Sequence, residues 1–172
     1  MKAFAIALAL ALCAPALLAR AAATDEIAAA LIDAGQKPIT ADSLPADFAR
    51  LAHFVRHEAN GMVLFTDAGP ADGHVRAAQA HFDTAPVRGP NDKIPLFSVA
   101  FELVDQPDFS FDGLASAMEH RLGTPTASSN RSGAVFRTWL MPNPAGRSFT
   151  IARAQGSDNG DPITIVQLVQ NR

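Results

Sequence analysis

Two histidines four residues apart, His53 and His57, stand in the run His53-Phe54-Val55-Arg56-His57-Glu58. On a helix that spacing turns both imidazoles the same way, and two such rings can share a zinc ion. Glu58 beside them can orient a ligand or act as a base. The order is not the H-E-x-x-H of zinc hydrolases, because the acid follows the second histidine. No third ligand stands near, and Arg50 and Arg56 bring positive charge to the place a cation would take. No metal is therefore assigned, and His53, His57 and Glu58 are the residues to follow in the structure.

The remaining reactive residue types form weaker patterns. His81 and Asp83 share one face of a strand, with His74 on the other, and a His–Asp pair can do acid–base work. Ser98, Ser128, Ser129 and Ser132 lie in neither a G-x-S-x-G nor an S-x-x-K context, so no serine nucleophile is expected. Asp158, Asn159 and Asp161 surround Gly160, but Asn-Gly is a hairpin signal, and the spacing lacks the alternation of a calcium loop. Arg137 and Trp139 fall on the same face of a predicted strand. On an open sheet an aromatic beside a guanidinium can hold a peptide, a glycan or an acidic ligand, so these two are the candidate ligand-binding residues. Phosphate loops, dinucleotide fingerprints and haem motifs are absent from the sequence, and no cofactor is expected.

Composition narrows the classes further. Met1-Lys2, an uncharged run from Ala3 to Leu18 and small-x-small sites ending at Ala21 and Ala23 read as a cleaved signal peptide over 1–23. Export to the periplasm or beyond follows as the expected location, and the Ala- and Arg-rich composition suggests a bacterium. Cys13 is the sole cysteine and lies inside that segment, so 24–172 has no disulfide, thiolate site or cysteine nucleophile. With Lys2 and Arg20 removed from its 14 basic residues, the chain keeps 12 against 17 acidic ones. Scattered acids and no basic cluster argue against nucleic acid. No second stretch reaches the roughly 20 apolar residues of a membrane span.

These residues must be positioned by a single domain over 24–172. A short helix is expected over Asp25–Ala34, with a thin apolar stripe and Gly35 at its C-terminal cap. A second is expected over Leu44–His57, where Leu44, Phe48, Leu51 and Val55 form one face. Strands follow at Met62–Thr66, His74–Asp83 and Leu96–Val104, the last with Phe97, Val99, Phe101 and Leu103 alternating. Asp67–Gly73 reads as a loop. A third helix over Phe111–Leu122 carries the stripe Phe111, Leu114, Ala115, Met118 and Leu122, with Ser110 as cap and Gly123 as stop. The segment 126–133 reads as a mobile loop. Ala134–Met141, Ser148–Ala154 and Ile163–Val169 complete an antiparallel meander.

The expected fold is therefore α+β: strand-strand-strand-helix-strand-strand-strand, two short helices in front, and the third helix on one face of the sheet, over Phe97, Val99 and Phe101. A good core without convergent reactive groups points to a non-catalytic envelope domain that binds a protein partner or a small ligand through a sheet face or edge. The alternatives are a metal- or His-assisted hydrolase, and an inhibitor or immunity-type protein using the acidic loops 67–73 and 156–161.

Overall fold

A computed structural model describes residues 23–59, 62–70, 73–83, 97–131, 134–141, 146–155 and 162–170. The signal segment, Cys13 and the loops 87–95 and 156–161 lie outside the described residues. Helix α1 is described over 23–35, and α2 is one turn, Leu44–Asp47. Four strands follow: β1 (Ala52–Ala59), β2 (Met62–Pro70), β3 (Val75–Asp83) and β4 (Phe97–Val104). Helix α3 (Phe111–Leu122) precedes four more: β5 (Ala127–Arg131), β6 (Ala134–Met141), β7 (Arg147–Gln155) and β8 (Pro162–Gln170). All eight form one antiparallel sheet in the order β1-β2-β3-β4-β8-β7-β6-β5. Each half is a four-strand meander, and the halves join where β4 pairs with β8.

The fold is thus α+β with an antiparallel sheet, but with eight strands where six were expected. The largest difference is at 48–59. Leu44, Phe48 and Leu51 are buried as the helical stripe requires, yet its fourth member, Val55, is 44% exposed. The helix ends after Asp47, and 52–59 joins β2 as an edge strand. Period two explains this region better than period 3.6. Phe54 packs on Phe65 and Phe101, while Val55 and His57 turn to the opposite face. The second addition, β5, is the Ser-rich segment read as a loop. Its Ala-Ser-Ser-Asn-Arg sequence has no apolar alternation, and it is held by backbone pairing to β6. β2 also runs through Asp67 to Pro70, where a loop was expected.

One core cluster takes residues from all three helices and from the sheet. A line of rings crosses its first half: Phe48 on Phe101, Phe101 on Phe54, then Phe65, Phe82 and Phe97, with successive centroids 5.3 to 6.1 Å apart. Such pairs contribute about 0.5–1.5 kcal/mol each beyond the area they bury.

α3 keeps the expected bounds, and the Ser110 Oγ accepts from the Gly113 N–H. Gly123 at its end has φ +81° and ψ −169°, a conformation that only glycine adopts readily. Its nearest strands are β6 and β7, not the β4 residues expected beneath it. α1 buries more than the thin stripe expected of it: Ile27, Ala28, Leu31, Ile32 and Ala34 are all buried.

Gly35 serves α1 differently from the left-handed cap expected of it. It is the last helical residue, and a methyl there would overlap the Phe149 ring at Cζ and stand 2.6 Å from Cε2. Gly35→Ala is therefore expected to lose about 1–2 kcal/mol net, the overpacking strain exceeding the helix-propensity gain. Phe149→Leu in the Gly35→Ala background should recover part of that loss. Urea denaturation of the four proteins in this cycle measures the coupling, and additive losses would show that the ring is not the obstacle.

Candidate functional site

One stripe of α1 carries Glu26, Ala30 and Asp33, at i, i+4 and i+7, with Ala30 packed partly on the core and Lys37 just beyond the end of the helix. Opposite it runs the segment from α2 through Leu51, which the sheet holds by packing Phe48 on Phe101. Two adjoining clefts lie between them. One, of about 460 Å³, is lined by Glu26, Ile27, Ala30, Arg50 and Leu51. The other, of about 280 Å³, is lined by Ala30, Asp33, Ala34, Lys37, Ala46, Asp47 and Arg50. Ala30 and Arg50 belong to both.

Three acids and two bases thus border an aliphatic floor. Within the described structure, no side chain among Glu26, Asp33, Lys37, Asp47 and Arg50 forms an ion pair or a hydrogen bond. Other charged residues nearby are matched. Arg56 reaches Asp42 at 2.6 Å and Glu58 at 2.8 Å, and those two acids, Asp42 first, raise its guanidinium above the ordinary value. Asp47 is the sharper anomaly. Its Oδ2 is sealed from solvent with no hydrogen-bond partner, unlike any other buried side-chain polar atom among the described residues. An unsatisfied buried acceptor costs about 1–3 kcal/mol.

The residues singled out in the sequence fall elsewhere. His53 and His57 lie on a strand, where four residues span about 13 Å, so the two rings do not converge. His57 Nε2 is 3.0 Å from Thr66 Oγ1, and Glu58 is engaged by Arg56. Among the described residues, no three His, Cys, Asp or Glu side chains are grouped to hold a metal. His81 pairs across the sheet with Leu64 and Ser98.

Trp139 does not line an open groove. It is 2% exposed, and its indole N–H donates to the Gly123 carbonyl at 2.8 Å. Arg137 is half-buried, 3.5 Å from Glu119 of α3. Strand alternation placed the two on one face, but that face is covered by the end of α3.

Two arrangements had no signal in the sequence. His74 Nε2 meets Asp108 Oδ1 at 3.0 Å, its ring on Phe109, and Thr24 Oγ1 donates to the Asp108 carbonyl. Thirty-four residues separate that pair. The second is Arg147, buried at the start of β7. It donates to the carbonyls of Gly35 and Lys37 and, at 3.0 Å, to the Gln170 side chain, with its guanidinium 5.0 Å above the Phe97 ring. Burial pushes its pKa below the ordinary value. The cleft was missed for a related reason: its walls come from a stripe that reads as solvated helix surface and from a segment read as continuing helix.

Fold and site together define a class: an antiparallel eight-stranded α+β domain with a mixed-charge cleft at its leading helix. Compared with known proteins, the chain matches no family model, no curated relative and no solved structure.

Proposed function

We propose that this protein is a non-catalytic binding domain of the bacterial cell envelope, exported by its 1–23 segment, and that it takes a small ligand bearing both charges in the cleft beside α1. The observation that carries the reading is the set of five unpaired charged side chains around one aliphatic floor, with a carboxylate oxygen among them that the fold leaves unsatisfied. The combined clefts fall within the usual range for small-molecule sites, about 300–1,000 Å³. A primary ammonium suits Asp47, whose carboxylate can swing about its soft χ2 to meet it. A carboxylate suits Arg50, whose fork binds it with two parallel hydrogen bonds, with Lys37 adding charge. Methyl and methylene groups suit Ala30, Ala34 and Leu51. Free amino acids and short peptides have this chemistry.

Calorimetric titration of the processed protein with free amino acids and dipeptides tests the assignment. Binding is expected, with Asp47→Ala and Arg50→Ala each weakening it about ten-fold or more, as loss of a charge-assisted hydrogen bond does. Asp47→Ala should also raise the unfolding free energy by about 1 kcal/mol, because it removes an unsatisfied acceptor. Binding that survives both substitutions would refute the site. No binding across the panel, with no stability gain in Asp47→Ala, would refute the reading.

A further inference from the structure

We propose that the sheet face opposite the helices is the interface of a homodimer, in which two copies stack sheet on sheet. This is independent of the ligand cleft, which lies on the other side of the sheet. Contacts from all three helices run to one face: Gly35 to Phe149, Phe48 to Phe101, and Gly123 to Trp139. The opposite face leaves apolar side chains uncovered. Leu140 is 64% exposed, Met62 40% and Val55 44%. Ile163, Ile165, Phe136 and Val169 are only half-buried there.

Charge decides which occupant this face suits. The residues that β6, β7 and β8 turn outward include no Asp, Glu, Lys, Arg or His. On β4 the outward acid, Glu102, lies 3.6 Å from Arg76. A different protein recognised by electrostatic complementarity needs charges to read. With β6, β7 and β8 free of charge, and with His57, His81 and the Arg76–Glu102 pair gathered toward the β1–β4 end as a polar rim, the face suits a second copy, since homodimer interfaces are the more apolar class and charge is depleted at their centre. Four polar side chains on this face are already paired with one another: Thr138 with Thr150 at 3.0 Å, Gln167 with Ser98 at 3.2 Å. They can be covered without being orphaned.

The area is sufficient. Eight strands at about 4.8 Å spacing span roughly 38 Å, and strands of this length run about 27 Å. Overlap of most of that face gives about 800 Å² per partner, the size of a stable interface. A twofold axis through this face makes the contact isologous, the same patch meeting itself on the second copy.

Sedimentation equilibrium of the processed protein across the micromolar range reads the mass directly. A dimer is expected. Ile165→Lys and Leu140→Glu, each with an unchanged far-UV spectrum, should weaken it roughly a hundred-fold or more, because each buries an unpaired charge. A single cysteine at Thr150→Cys should oxidise to a covalent dimer, and one at Asp33→Cys on α1 should not. A monomer at every concentration overturns the proposal, whether or not it takes up a different protein. So does a dimer that survives both charge substitutions, which would place the contact at an edge strand or at the helices. Ligand titration of the monomeric variants keeps the two proposals apart, since binding in the cleft should be unaffected.

Discussion

Arg147→Ala is expected to lose about 3 kcal/mol or more of folding stability, the largest effect of any polar substitution in this protein. Arg147 is 3% exposed and has no carboxylate partner among the described residues. Its acceptors are neutral: two backbone carbonyls at the end of α1 and the Gln170 amide. The last carbonyls of a helix have no partner within it and carry its negative partial charge, so a cation is well placed there. Each charge-assisted hydrogen bond contributes about 1.5–3 kcal/mol, and removing the donor leaves buried carbonyls unsatisfied. The guanidinium also holds its place over Phe97.

Arg147→Lys should recover less than half of the loss. A single ammonium does not reproduce the directions of the Nε and Nη1 donors. Arg147→Met fills the volume without supplying a donor, and should behave nearly as alanine does. The sign of the pH dependence follows from the lowered pKa. The unfolded chain holds this proton more tightly, so charge burial opposes folding wherever the group is protonated. That penalty eases only as pH rises toward the arginine range. From pH 5 to 9 the difference between wild type and Arg147→Ala should stay flat. Urea denaturation followed by far-UV circular dichroism measures it. A Met variant as stable as wild type, or a difference that collapses below pH 5 as a carboxylate pair would, contradicts this account.

Trp139→Ala is expected to lose about 3–5 kcal/mol, the usual range for a fully buried large aromatic. Trp139→Phe separates the two contributions. It keeps most of the ring volume but removes the N–H that satisfies the Gly123 carbonyl, for about 1–2 kcal/mol. That carbonyl belongs to a residue already held at positive φ, so the bond also secures the exit from α3. Neither substitution should alter ligand titration once the remaining folded protein is counted, because Trp139 lines neither cleft. Loss of ligand affinity in a folded Trp139→Phe protein would return this tryptophan to a binding role.

Legibility in the sequence varied with how local the determinants were. α3 was readable to the residue, because its stripe, its Ser110 cap and its Gly123 stop all lie within fourteen consecutive positions. The alternation of β4 was equally plain. The 48–59 region was not: Leu44, Phe48 and Leu51 are helically spaced and buried, but the chain leaves the helix between them. What decides the conformation of 52–59 is the vacant edge of β2, which lies later in the chain. β5 carries no apolar signal at all, since backbone pairing to β6 needs none. Gly35 was legible as a special glycine but for the wrong reason, the true one being the Phe149 ring 114 positions away.

Composition and short-range pattern alone determined the α+β class, the antiparallel sheet and the buried faces of its best elements. They also identified the segment from which export is argued. Tertiary structure decided which charges stand unmatched, which aromatic is sealed, and where a lone arginine is needed. The physical reason is range: hydrophobic period and capping act between neighbours, whereas satisfaction of a buried carbonyl or carboxylate depends on groups that only folding brings within 3 Å.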